Sequence, residues 1–160
     1  MATLVASPST LLALDTDVFT DWNKQRPHAV NAVNDYLDRM DFLPKLAAIT
    51  VFEIEHGFES LIVKSGSLDQ TAQQIRSKAE QLIRKCGVLD FNQQAAEIAA
   101  HIYVRLAHRY QNKHWRDVYI AATALAHGYG VATRNQSDFE LIGQHLPLQY
   151  STLLLAVWKP

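Results

Sequence analysis

The run Val118 to Ala126, VYIAATALA, leaves this chain few folds to choose from. Its residues are small and mostly apolar, so a helix built from it is buried and can lie close against a sheet. The His127-Gly128-Tyr129-Gly130 segment stops that helix, because glycine accepts the backbone angles of a helix end. Gly130-Val131-Ala132-Thr133 then reads as a short buried strand, and Arg134-Asn135-Gln136-Ser137-Asp138 as a polar turn. Two acids frame the unit: Asp117, expected on the first turn of the helix, and Asp138, just beyond the strand. In α/β folds ligands bind outside the carboxyl ends of strands, so both acids are site candidates.

The remainder of the chain repeats this punctuation. Residues 1–9 read as a loose leader. Leu11-Leu12-Ala13-Leu14 suits a strand buried on both faces, and it ends at Asp15-Thr16-Asp17. A carboxylate at the end of a buried strand is costly unless it is paired or metal-bound; alternatively, Asp15 or Thr16 caps a helix running from about Val18 towards Met40. Leu46-Ala47-Ala48-Ile49 is a second strand candidate. Thr50 and Glu53 have the spacing of a helix capping box, which competes with a site role for Glu53. A turn at Ser65-Gly66-Ser67 ends that helix, and Leu68 to Lys85 forms another with an apolar stripe.

Gly87 breaks the pattern before a short strand, Val88 to Phe91. Asn92 caps the next helix, expected to bury Ala96, Ala99, Ala100, Tyr103, Leu106 and Ala107. Leu146 to Leu155 contains Pro147 and reads as an edge strand or covering segment. Strands alternating with helices predict an α/β fold, a mainly parallel sheet of four or five strands between helix layers with right-handed crossovers.

Composition bounds the function. The 160 residues suffice for one domain with a real core, expected to span 1–160. Hydrophobic content of 48% argues against disorder, and a net charge of -1 provides no global field for nucleic acid, so any such contact needs a local patch. The lone Cys86 permits no internal disulfide. No charged signal region or long apolar run is evident, so the expectation is a cytoplasmic protein without a membrane partner.

Asp15, Glu53, Asp117 and Asp138 are each expected at the same edge of the sheet. Four converging carboxylates would repel one another without a cation, and clustered oxygens suit Mg²⁺ or Mn²⁺. Such a site can support phosphodiester hydrolysis. The stretches LDTDVF (14–19), TVFEIEHG (50–57), VLDFNQQAAEIAA (88–100) and RDVYIAATALAHG with VATRNQSDF (116–139) resemble the motifs of PIN domains, nearest to the VapC-type toxins of toxin–antitoxin pairs. The resemblance covers about residues 11–142. It implies a three-layer α/β/α domain and a metal-dependent endoribonuclease, with Asp15, Glu53 and Asp117 as ligands. The fourth position falls to Asp138 or Asn135. Asp138 offers the charge, and Asn135 or Thr133 is expected to position it or a water. Asp17 departs from the asparagine usual in the family and adds a negative charge.

An RNA substrate, a cognate antitoxin covering the acidic cleft and a homodimer are also implied, the last with Val51–Val63 and Leu146–Leu155 as candidate surfaces. For phosphate contact the candidates are Arg134 and a basic face of Arg105, Arg109 and Lys113, provided one helix carries all three. Zinc is disfavoured: the histidines lack a helical i, i+4 pair and one cysteine cannot build a thiolate site. No nucleophile elbow or dinucleotide fingerprint occurs, and Trp22, Trp115 and Trp158 are too dispersed for a base-stacking platform. Two competing readings remain at this level, a PIN nuclease of RNA processing and a catalytically silent PIN-fold binding module.

Overall fold

The computed structural model describes residues 4–160. Strand β1 (Leu12–Leu14) is wholly buried, as its unbroken apolar run requires. It is followed by α1 (Thr16–Asn23), α2 (Pro27–Met40), β2 (Lys45–Ala47), α3 (Ala48–Ser65) and α4 (Gln70–Cys86). The second half contains β3 (Val88–Leu89), α5 (Gln93–Arg105), α6 (His108–Ala126), β4 (Gly130–Thr133), α7 (Gln136–Gly143) and β5 (Leu155–Val157). The strands form one sheet in the order β3-β2-β1-β4-β5. Every pairing is parallel, with Leu14 opposite both Leu46 and Ala132.

Helices cover both faces. On one, α5 and α6 bury Ile98, Ile102, Val118 and Ala122, together with Phe139 of α7. On the other, α1, α2 and α4 bury Phe19, Val33, Tyr36 and Ala79. The small residues of α6 let it approach as expected: Ile120 to Ala124 are fully enclosed. Gly130 opens β4 where a Cβ would lie 2.7 Å from the Leu154 carbonyl oxygen, so no larger residue fits this backbone approach.

The α/β reading of the sequence holds, while several local expectations change. The helix expected from Val18 to Met40 is two helices, because Gln25 takes a left-handed angle and Pro27 starts α2. The leader is partly ordered: Val5 bridges Leu155 and the Ala6 amide donates to the Leu155 carbonyl at 2.8 Å. Met1 to Thr3 lie outside the described residues. Helix α5 buries Ala95, Ile98, Ala99 and Ile102, leaving Ala96 and Ala100 outside, so the expected face is rotated. The final strand is Leu155–Val157, beyond most of the apolar stretch assigned to it.

Candidate active site

The chain runs β1, β2, β3 towards one side of the sheet and β4, β5 towards the other. The order therefore reverses between β1 and β4, where an open parallel sheet forms its binding crevice. Asp15 follows β1 directly and is 5% exposed. One carboxylate oxygen accepts the Thr16 amide at 2.6 Å, capping α1; the other accepts the Thr133 hydroxyl at 2.8 Å from the end of β4. Capping and site placement, offered by the sequence as alternatives, coincide in one side chain. Burial above all pushes the Asp15 carboxyl up to about 7, with the Asp117 and Asp17 charges adding to the shift against the two hydrogen bonds.

Glu53 is not part of a capping box. Helix α3 begins at Ala48, two residues before Thr50, and the Thr50 hydroxyl instead donates to the Leu14 carbonyl at 3.4 Å. That frees Glu53 to face the crevice, where it accepts the Thr16 hydroxyl and lies 3.4 Å from the Arg116 Nε.

Asp117 lies in the middle of α6 rather than on its first turn, because the helix begins at His108. Its carboxyl is pushed up to about 6, by burial first, with His114 opposing and the charges of Asp138 and Glu53 reinforcing the shift. Asp138 sits on the first turn of α7 and accepts the Asn135 side-chain amide. Asn135 is itself tied back by its backbone amide to the Thr133 hydroxyl at 2.9 Å. Thr133 thus supports Asp15, and Asn135 supports Asp138. Thr16 joins Asp15 to Glu53, and His114 lies against both Asp117 and Asp138, so side-chain contacts gather the four acids in two pairs whose charges act on one another.

Arg134 pairs with acids of α1 rather than with the four candidate acids. Its guanidinium donates to Asp21 at 2.9 Å and lies 3.5 Å from Asp17, the exposed acid at the start of α1. The expected basic face is also broken: α5 ends at Arg105 and α6 starts at His108, separating Arg105 from Arg109 and Lys113. Among the described residues, Arg116 is the guanidinium within ion-pair distance of one of the four acids, Glu53.

One residue at the crevice escapes the sequence reading, and a second is read only in part. Arg116 closes the basic stretch that leads into Asp117, which the sequence offers for holding phosphates near the metal, and the structure sets it against Glu53. Buried His114 puts its Nδ1 3.2 Å from Asp117 and 3.4 Å from Asp138. Histidine–histidine spacing speaks only against zinc, whereas the informative spacing is His114 to Asp117, three residues apart on one helix face. Trp115 has neighbours too. An aromatic ridge runs from Phe52 through Trp115 and Tyr119 to Phe91, with successive ring centroids 6.4, 5.4 and 4.8 Å apart.

Comparison with known proteins gives consistent relatives. The PIN domain family matches residues 12–143. The VapC ribonuclease Y4jK of Sinorhizobium fredii is 34% identical over 135 residues, covering 83% of this chain and 93% of that protein. DNA-bound VapBC from Salmonella typhimurium superposes with a TM-score of 0.66 at 25% identity, covering 94% of this chain and 99% of that one. VapBC2 from Rickettsia felis, bound to a promoter DNA fragment, also gives 0.66, covering 92% and 98%; at 16% identity it speaks to the fold alone.

Proposed function

The chain belongs to the PIN domain family, and from that premise we propose that it is a divalent-metal-dependent endoribonuclease, the toxin of a VapBC-type toxin–antitoxin pair. The observation that carries this reading is the crevice itself: Asp15, Glu53, Asp117 and Asp138 share it with buried His114 and, among the described residues, one guanidinium in contact, that of Arg116. Burial first, with neighbouring carboxylates adding, pushes the Asp15 and Asp117 carboxyls up to about 7 and about 6, and a bound cation would offset the cost of keeping them ionised there. The oxygen donors suit Mg²⁺ or Mn²⁺, with Asp15, Glu53, Asp117 and Asp138 as the residues to hold it. When bound, such an ion supplies water activation and charge neutralisation at the phosphate.

The chain's own contribution is preorganisation. Thr16 and Thr133 fix both oxygens of Asp15, the Thr16 hydroxyl holds Glu53, and Asn135 holds Asp138. Arg116 stands at the rim, half-buried, where it can meet a phosphate oxygen as well as Glu53. The same reading takes residues 1–160 as one nuclease domain working in the cytoplasm.

A groove of about 440 Å³ leads away from Thr16 and Glu53 between α1, α3 and α4, lined by Phe19, Ile54, Phe58 and Leu61. Its apolar walls and acidic end suit an antitoxin segment with an apolar stretch followed by a basic side chain. The aromatic ridge is the surface we assign to a homodimer. It takes Phe52 from the Val51–Val63 candidate; in the Leu146–Leu155 candidate, Leu153 and Leu155 belong to the core while Leu148 is fully exposed.

The decisive experiment is RNA cleavage by purified protein with Mn²⁺ or EDTA, beside Asp117→Asn. Cleavage should require metal and fall by roughly 100-fold or more in the variant. Full activity in Asp117→Asn or in EDTA would remove the assignment. Expression of the wild-type chain should arrest bacterial growth where the variant does not; arrest by both would argue against a nuclease toxin.

A further inference from the structure

His114 is 2% exposed, and its ring is aimed at two of the four acids. It lies one helical turn before Asp117 on α6, so both side chains leave the same face. The ring of Tyr110, a turn earlier, flanks it with centroids 5.8 Å apart. Its Nδ1 and one carboxylate oxygen from each of Asp117 and Asp138 all fall within 4.8 Å of one another.

The distances are informative. A charge-assisted N–H···O bond closes to about 2.7–2.9 Å, whereas Nδ1 makes a longer hydrogen-bond contact of 3.2 Å with Asp117 and stands 3.4 Å from Asp138. Adjacent donors around an octahedral ion at about 2.1 Å lie about 3.0 Å apart. The two distances from Nδ1 are therefore also those of neighbouring donors around a common ion.

Resting on the metal-dependent reading above, we propose that His114 is a nitrogen ligand of the ion held by Asp117 and Asp138, and that it makes the site prefer a first-row transition ion over Mg²⁺. The reason lies in donor chemistry. Mg²⁺ binds hard oxygen donors in a strict octahedron and gains little from imidazole, whereas transition ions gain from nitrogen in the Irving–Williams sense. Replacing one oxygen donor by a buried imidazole shifts selectivity without adding charge to an already acidic crevice.

Mn²⁺ is the probe, because it is paramagnetic and reports its ligands directly. The full chain, stripped of metal, is titrated with Mn²⁺ by electron paramagnetic resonance, and pulsed spectra are recorded for bound ion. The wild-type protein should show the hyperfine coupling of a directly ligated imidazole nitrogen. His114→Asn should lose that coupling, and its preference for Mn²⁺ over Mg²⁺ in competition should fall by about 10-fold or more. Bound Mn²⁺ without nitrogen coupling in the wild type, or coupling that survives in His114→Asn, would overturn the inference and leave the nuclease reading intact. Failure of the wild type to bind Mn²⁺ would overturn both. The wild-type spectrum is decisive even if the variant does not fold.

Discussion

At Asp15 the chain keeps a carboxyl group where burial works against its charge, and a pH dependence with a definite sign follows. Its ordinary value of 3.8 applies to the unfolded chain, whereas in the fold it is pushed up to about 7. Between those values the folded state binds the extra proton, so stability falls as pH rises through the window. The penalty is absent below about pH 4, fully present above about pH 7, and worth up to about 4 kcal/mol for Asp15. Asp117 acts in the same direction up to about 6. The metal-free protein should melt on the order of 5–10 °C lower at about pH 8 than at about pH 5, and Mn²⁺ should restore more stability at the higher pH. A higher melting temperature at alkaline pH without metal would contradict this electrostatic account. At this scale the acids were legible because strand ends and polar turns are marked by composition. His114 is only half legible: its spacing to Asp117 lies within one helix, whereas its contact with Asp138 arrives from another.

Helices are marked by periodicity, but their interruptions are marked poorly. Pro27 signals the start of α2, and the sequence reading passed over it; the break at Leu106–Ala107 carries no glycine or proline and could be seen only in the fold. Leu106 turns into the core as α5 ends, and that burial, rather than any local breaker, redirects the chain. The ridge is a similar case. Trp115 and Tyr119 share a face of α6, but Phe52 and Phe91 join them only through the packing of α3 and the β3 exit. Phe52 and Phe91 remain 48% and 39% exposed, the apolar surface that the proposed homodimer would cover. Phe91→Asp should therefore convert a dimer to a monomer in light scattering while leaving the melting temperature of the fold nearly unchanged. A monomeric wild type would remove the homodimer, and a variant that stays dimeric would move its interface elsewhere.

For the molecule as a whole, the class of the sheet was readable and its order was not. Alternating strands and helices dictate parallel pairing, but nothing local says that β4 returns beside β1 or that β5 closes the edge beyond it. The last strand then has a larger task than its three residues suggest. It pairs with β4 from Val131 to Thr133, while the Trp158 amide donates to the Thr133 carbonyl at 2.9 Å. Its other edge receives Val5 and Ala6. Because Thr133 supports Asp15, the chain's end buttresses the candidate site from behind. Leu153 and Leu155 are 1% and 2% exposed, and losing both from the core removes about 3–6 kcal/mol. That is a large share of the roughly 5–15 kcal/mol that holds a domain together. It would also bare β4 as an unpaired apolar edge prone to aggregation. Truncation before Leu153 should leave a chain without a cooperative thermal transition, whereas removal of Lys159 and Pro160, both exposed, should change the melting curve little. A truncated chain that melts like the full one would show that β4 and the acids it supports stand without their edge strand.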